Sequence, residues 1–323
     1  MIFLYENAKN GYKITRVFGQ SEVVEIPEFI REIPVTELGD YTFSDRMDRK
    51  DFEKMLLHGN LCHEDGTKAE SAAHLPEIAG ERLQELKLPQ GLTKIGRYVF
   101  YNCRNLQRLS FGGNLTDIGA GALTGCHKIN QIEVEIGEEG SSSLREILTE
   151  LPEELCVDII KNGETGRFWF PEFFEEGVEN TPARILENHV HGSGIRYRNC
   201  FVHKKLHVLE YDRLFEYAKA WENEKLVISL ALDRILHPME LCEDARIRYV
   251  HYLKEQIQPA VSLLAGRKEY AFIRTILRET EPSGETAGEL LDRAGQQGDA
   301  ELVSILMDYL HRHTKKQRKV FEL

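Results

Sequence analysis

A 23-residue step repeats across Leu86 to Val134, and it constrains the fold of this chain more than any other feature. Leu86 recurs as Leu109 and Ile132, Leu92 as Leu115, Ile95-Gly96 as Ile118-Gly119, Phe100 as Leu123, Cys103 as Cys126, and Leu106 as Ile129. A fixed period of this size marks a solenoid, whose units bury their apolar faces against their neighbours rather than around one closed core. Each unit opens with a strand. In Glu85-Leu86-Lys87-Leu88 the leucines share one side and the charged residues the other, as a period of two requires. Stacking then aligns Glu85, Arg108 and Gln131 in one exposed row, and Lys87, Ser110 and Glu133 in the next. These six are the expected partner-binding residues. Gly96 and Gly119 fall where the backbone needs either a positive φ or the close approach of a neighbour. Phe100 and Leu123 fill the space between strands and loops.

Upstream, Val35, Leu38, Gly39 and Phe43 repeat the order and spacing of Leu92, Ile95, Gly96 and Phe100, but 57 residues earlier, which is not a multiple of 23. An insertion at about 45–80 accounts for the offset. Its first part reads as a helix from Asp48 to Leu57 and its second, around HEDGTKAESAAH, as a mobile loop. Downstream, a flexible GEEGSSS stretch leads to two β-rich runs around Asn162-Gly163, a hairpin signal placed at about 155–171. Phe168, Trp169 and Phe170 are then available to cover the open end of the array. A first domain over 1–175 follows, with the boundary after this hairpin.

The units LKLPQGLTKIGRYVFYNCRNL and LSFGGNLTDIGAGALTGCHKI resemble bacterial leucine-rich repeats of the BspA-like type, which carry an L-x-x-I-G-x-x-x-F-x-x-C core. GYKITRV and IPVTELGDYTF are similar to the lead-in of such arrays. The resemblance covers about 11–43 and 80–136. It implies a short leucine-rich-repeat solenoid that recognises proteins or other surfaces, with no catalytic residues to carry over.

Residues 176–323 read as an all-α domain, so the chain as a whole is α+β. Thr181-Pro182 gives a helix start with Ala183 to His189 as its first turns. Periodic apolar segments follow at about 211–222, 224–236 and 240–257, with four more up to Leu310. Ala265-Gly266, Ala271, Ile273 and Ile276-Leu277 recur 29 residues later as Ala294-Gly295, Ala300, Leu302 and Ile305-Leu306, with the small residues expected to let helices approach closely. AGQQGDAELVSILMDYL resembles the helix pair of an ankyrin repeat without its T-P-L-H turn, which implies a helical-hairpin array.

Charge narrows the partners. Residues 1–175 hold 19 Lys and Arg against 30 Asp and Glu, whereas 176–323 hold 22 against 23. An acidic sheet face repels phosphate backbones and anionic lipid, so a protein partner is expected, with neither nucleic acid nor membrane. The N-terminus has no signal-peptide pattern, and the six cysteines are scattered through a long chain, which fits a reducing, cytoplasmic setting. Cys103 and Cys126 recur with the repeat and read as small buried positions. One stretch departs from this picture: His189, His191, Cys200, His203 and His207 bring together residue types suited to zinc. Gly192 and Gly194 beside Arg196 and Arg198 offer a possible anion cradle. The alternative to a non-catalytic adaptor is therefore a ligand- or metal-dependent sensor or enzyme with its site around His189–His207. No cofactor and no nucleophile with an adjacent base is otherwise apparent.

Overall fold

The computed structural model describes the backbone of residues 1–180 and 185–318, and side chains over 1–177 and 190–313. Two compact units make up the chain, Met1–Leu214 and Phe215–Leu323.

The first unit begins with an antiparallel hairpin, β1 (Ile2–Ala8) and β2 (Gly11–Phe18), followed by β3 (Val23–Glu25), β4 (Phe29–Ile30) and β5 (Ile33–Leu38). After α1 (Arg49–His58) and β6 (Asn60–His63), the 23-residue units supply β7 (Glu85–Lys87), β8 (Lys94–Ile95), β9 (Arg108–Gly112), β10 (Asp117–Ile118) and β11 (Gln131–Ile136). Then come α2 (Leu144–Glu150) and the hairpin β12 (Leu155–Lys161) and β13 (Glu164–Phe170). From β7 to β11 successive strands alternate between two sheets. One runs β10-β8-β5-β2-β1-β6 with β4 on β5, and the other runs β13-β12-β11-β9-β7-β3.

The sequence step is the pairing register. Leu86 lies opposite Leu109 and Leu109 opposite Ile132 in parallel ladders, so one 23-residue step moves the chain by one strand. The same inward row continues from Val24 at one end to Val157 and Phe168 at the other, all of them buried. At about 1.5–3 kcal/mol for each fully buried aliphatic or aromatic side chain, this row is a principal source of stability. The 57-residue echo is likewise spatial adjacency: Leu38 pairs with Ile95, and Phe43 stacks on Phe100 with ring centroids 5.8 Å apart.

The insertion departs from the expected mobile loop. α1 forms as its spacing predicts, with Asp48 accepting from the Lys50 N–H, but β6 then adds to the free edge of β1. The segment beyond it is held by Ala69 N–H to Leu61 O (3.0 Å) and by burial of Ala69 and Ala72 against Ile2, Leu4 and Phe18. Its small residues are what let it lie flat on the sheet, and a composition rich in Ala, Ser and Glu disguised that.

Both outer strands of the six-stranded sheet are closed by one hydroxyl each. Tyr211 Oη accepts from Trp169 N–H (2.8 Å) and donates to Trp169 O (2.7 Å) on β13. Ser21 Oγ accepts from Val23 N–H (3.1 Å) and donates to Val23 O (2.8 Å) on β3. An edge N–H and C=O that would template another strand is satisfied locally in each case.

Residues 176–214 differ from the all-helical expectation. Phe174–Asn180 (β14) pairs antiparallel with Ile185–His191 (β15), so the helical turns expected over Ala183–His189 are largely a strand; Thr181-Pro182 lies outside the described residues. Short α3 (Gly194–Arg198), the hairpin β16 (Phe201–Val202) and β17 (Lys205–Leu206), and α4 (Val208–Arg213) follow. This segment sits in the first unit, whereas the sequence places the division near Glu175. Two buried side chains tie it there: Tyr211 on the β13 edge, and Arg198, whose guanidinium serves the carbonyls of Leu148, Leu151, Glu153, Pro171 and Gly194.

The second unit is helical: α5 (Phe215–Trp221), α6 (Glu224–Leu236), α7 (Glu243–Glu255), α8 (Ile257–Gly266), α9 (Tyr270–Thr280), α10 (Gly284–Gln297) and α11 (Ala300–Arg318). Three helix starts carry side-chain caps, Asn223 accepting from Leu226 N–H, Ser283 from Thr286 N–H and Asp299 from Leu302 N–H. The 29-residue echo relates α8–α9 to α10–α11 and places Ile273, Ile276 and Leu277, with Leu302, Ile305 and Leu306, in the core. The glycines of that echo are not contact points. A Cβ on Gly266 or Gly295 meets nothing within 4 Å, and in the later copy the buried small residue is Ala294.

Candidate interaction surface

The outward face of the six-stranded sheet carries two continuous rows. Pairing register aligns Val23, Glu85, Arg108, Gln131, Cys156 and Trp169 in the first, and Glu25, Lys87, Ser110, Glu133, Asp158 and Arg167 in the second. The six residues expected from the repeat therefore stand together, in the order the 23-residue step gives. Val23, Glu25, Cys156, Asp158, Arg167 and Trp169 extend the rows beyond the clean repeats. The signal for the last four was the Asn162-Gly163 hairpin, whose two turn residues both have positive φ (53° and 81°) as a tight primed turn needs.

Electrostatics on this face are crossed rather than acidic, contrary to the expectation from charge counting. Arg108 reaches both neighbours in its row, donating from Nη2 to Gln131 Oε1 (2.8 Å) and from Nη1 to Glu85 Oε2 (3.4 Å). Lys87 Nζ meets Glu25 Oε1 at 2.7 Å, which raises the lysine pKa. Arg167 forms a two-pronged pair with Asp158 at 2.7 and 3.1 Å, where the carboxylate is buried. Opposite charges on adjacent strands satisfy one another, and most of the acidic surplus of the first domain lies off these two rows, which hold Glu25, Glu85, Glu133 and Asp158 against Lys87, Arg108 and Arg167. Side chains held this way present fixed donors and acceptors, which lowers the ordering cost of binding.

The histidine-rich stretch is dispersed. His191 stacks on Phe174 (4.5 Å) and sits 3.1 Å from Glu176 Oε2. Cys200 is buried, its thiol donating to Arg196 O and pushed up to about 12 by desolvation. His203 occupies a left-handed turn position and His207 precedes α4, both exposed. The side chain of His189 lies outside the described residues. Among the described residues no group of three His, Cys, Asp or Glu side chains is placed to hold a metal. The expected anion cradle is replaced by backbone packing: a Cβ on Gly194 would lie 2.1 Å from Pro171 O, and Arg198 is only 2% exposed. Burial lowers the Arg198 pKa to about 10, leaving the group charged at neutral pH.

Cys103 and Cys126 are small buried positions with an added bond each. Their thiols donate to Phe43 O (3.3 Å) and Phe100 O (3.1 Å), so each coil is tied to the one before it. Desolvation pushes Cys126 up to about 12 and Cys103 well above its usual value, so both stay thiols at pH 8. In the native protein a thiol reagent at pH 8 should modify only Cys156 and Cys242, both half-buried, and all six cysteines after denaturation. Rapid native-state labelling of Cys103 or Cys126, read by peptide mass spectrometry, would contradict this packing.

A parallel two-sheet stack whose turns read Gly96-x-x-x-Phe100-x-x-Cys103 and Gly119-x-x-x-Leu123-x-x-Cys126 has a counterpart among known families. Residues 79–147 match the family model described as BspA type Leucine rich repeat region (6 copies). No curated protein matches the chain. Among solved structures, a leucine rich cell surface protein from Faecalibacterium prausnitzii aligns at 21% identity and a TM-score of 0.25, over 42% of this chain and 31% of that one. A leucine rich repeat protein of T. pallidum aligns at 18% identity and a TM-score of 0.23, over 50% of this chain and 79% of that one. The BspA-type segment thus contains β7 to β11, the strands that carry the six expected residues. Among the described residues no helix is long and apolar enough to cross a membrane.

Proposed function

We propose that this chain is a non-catalytic adaptor of the cytoplasm, in which a short leucine-rich-repeat solenoid recognises one protein partner and an ankyrin-like array of helical hairpins offers a second surface. The observation that carries the reading is the row Glu85, Arg108 and Gln131, fixed by hydrogen bonds across three parallel strands and open to solvent. Rigid polar groups at strand spacing suit a flat or extended protein segment. Six free cysteines accord with a reducing compartment.

Charge reversal tests it. Arg108→Glu and Glu133→Lys each alter an outward side chain without touching the inward ladder, and the cost to stability should stay within about 1 kcal/mol. Partner capture from the native host should fall at least about tenfold in each variant, the scale of one lost charge-assisted contact. Retention of every partner by both variants would exclude the sheet face as the binding surface.

A further inference from the structure

In the second unit, α9 and α11 line a cleft of about 370 Å³ that carries three arginines against two carboxylates, in a chain whose net charge is -12. Arg274 and Arg278 stand four residues apart on α9 and so share a face, while Arg312 and His313 come from α11. The buried side chains of Leu277 and Ile305 form the floor. Tyr309 helps fix that lining, its hydroxyl donating to Pro282 O (2.9 Å) and its ring stacked on His313 at 4.6 Å.

Counter-ions within the cleft are incomplete. Asp308 lies 3.5 Å from Arg274 and accounts for that cation. Arg278 meets Glu279 at 3.9 Å, but the same carboxylate is already bound by Arg246. Arg312 forms no ion pair among the described residues, and neither does Glu281, the second carboxylate on the lining. In the sequence, Lys315, Lys316, Arg318 and Lys319 follow His313. Arg312, without an ion pair among the described residues, and Arg278, which shares the Glu279 carboxylate with Arg246, thus stand over an apolar floor.

We propose that this cleft binds an acidic segment of a protein partner, which places an apolar side chain on Leu277 and Ile305 and carboxylates against Arg278 and Arg312. Guanidinium forks match carboxylates in two-pronged geometry. The inference rests on the adaptor reading for the helical unit and does not involve the sheet face.

Fluorescence anisotropy with the full chain and a labelled peptide of four glutamates around one leucine tests it. Saturable binding is expected, weakened at least about tenfold when the glutamates become glutamines and when Arg278→Glu and Arg312→Glu are combined. Arg278 is 75% exposed and Arg312 is exposed as well, so the double variant should keep the parent melting curve, which separates lost binding from lost folding. Arg108→Glu should leave the peptide affinity unchanged; its loss there would move the peptide to the sheet face and overturn the assignment. Absence of saturable binding, retention by the double variant, or tighter binding of a phosphoserine peptide or an oligonucleotide would also overturn it.

Discussion

Replacing Arg198 by methionine is expected to destabilise the first unit by about 3–5 kcal/mol, since each buried acceptor left without its donor costs about 1–3 kcal/mol. The guanidinium is 2% exposed and serves five carbonyls, including Leu148 O (2.9 Å) and Leu151 O (2.7 Å) at the end of α2, while its carbon lies 4.9 Å from the Phe173 ring centroid. Methionine fills the volume but leaves those acceptors without donors in a dry site. At about 2–4 °C per kcal/mol for a unit of this size, the melting temperature should fall by about 10 °C. Lysine restores charge with a compact ammonium that cannot span the same acceptors, so Arg198→Lys should recover only part of the loss. A melting temperature within 2 °C of the parent for Arg198→Met, on the order of a neutral surface change, would mean the network does not hold this segment.

Gly96→Ala should be nearly as damaging, for a steric rather than an electrostatic reason. An added Cβ would sit 2.5 Å from Asp40 N and from Gly39 C, both backbone atoms of the adjacent coil, and Gly119 stands in the same relation to Gly96. Gly39, Gly96 and Gly119 therefore form a column along which coils touch backbone to backbone. Opening that column by the width of a methyl group strains each coil around it, at a cost of about 3 kcal/mol. Gly91→Ala is the control within the same coil, because a Cβ there meets nothing within 4 Å, and its effect should stay within about 0.5 kcal/mol. Denaturant unfolding of the two variants checks the contrast, and equal midpoints would refute the close-approach role of the column.

What could be read from sequence divides along a physical line. The 23-residue step and the 57-residue echo were legible because a stacked fold turns sequence period directly into pairing register, and Leu38 opposite Ile95 is that echo in space. The two polar rows followed from the same step. Arg198 and Tyr211 were not legible, since, Gly194 O apart, each acts on backbone groups 27 to 50 residues away and nothing in its own neighbourhood announces that target. The strand Ile185–His191 was misread because a Thr-Pro helix signal outweighed a period of two whose partner, Phe174–Asn180, also had to be recognised. Charge counting failed on the sheet face for a related reason. It sums a domain, whereas Arg108, Lys87 and Arg167 are placed by register against the acids they neutralise.

The most direct measurement of whether the sheet face recognises a protein is site-specific photocrosslinking from Ser110, which lies between Lys87 and Glu133 in the second row. With a photoreactive amino acid at that position in the native host, one dominant adduct is expected, absent when Arg108→Glu is added and absent from the same probe at Lys54 on the exposed face of α1. An adduct that forms equally from Lys54, or one from Ser110 that persists with Arg108→Glu, would contradict recognition through this face.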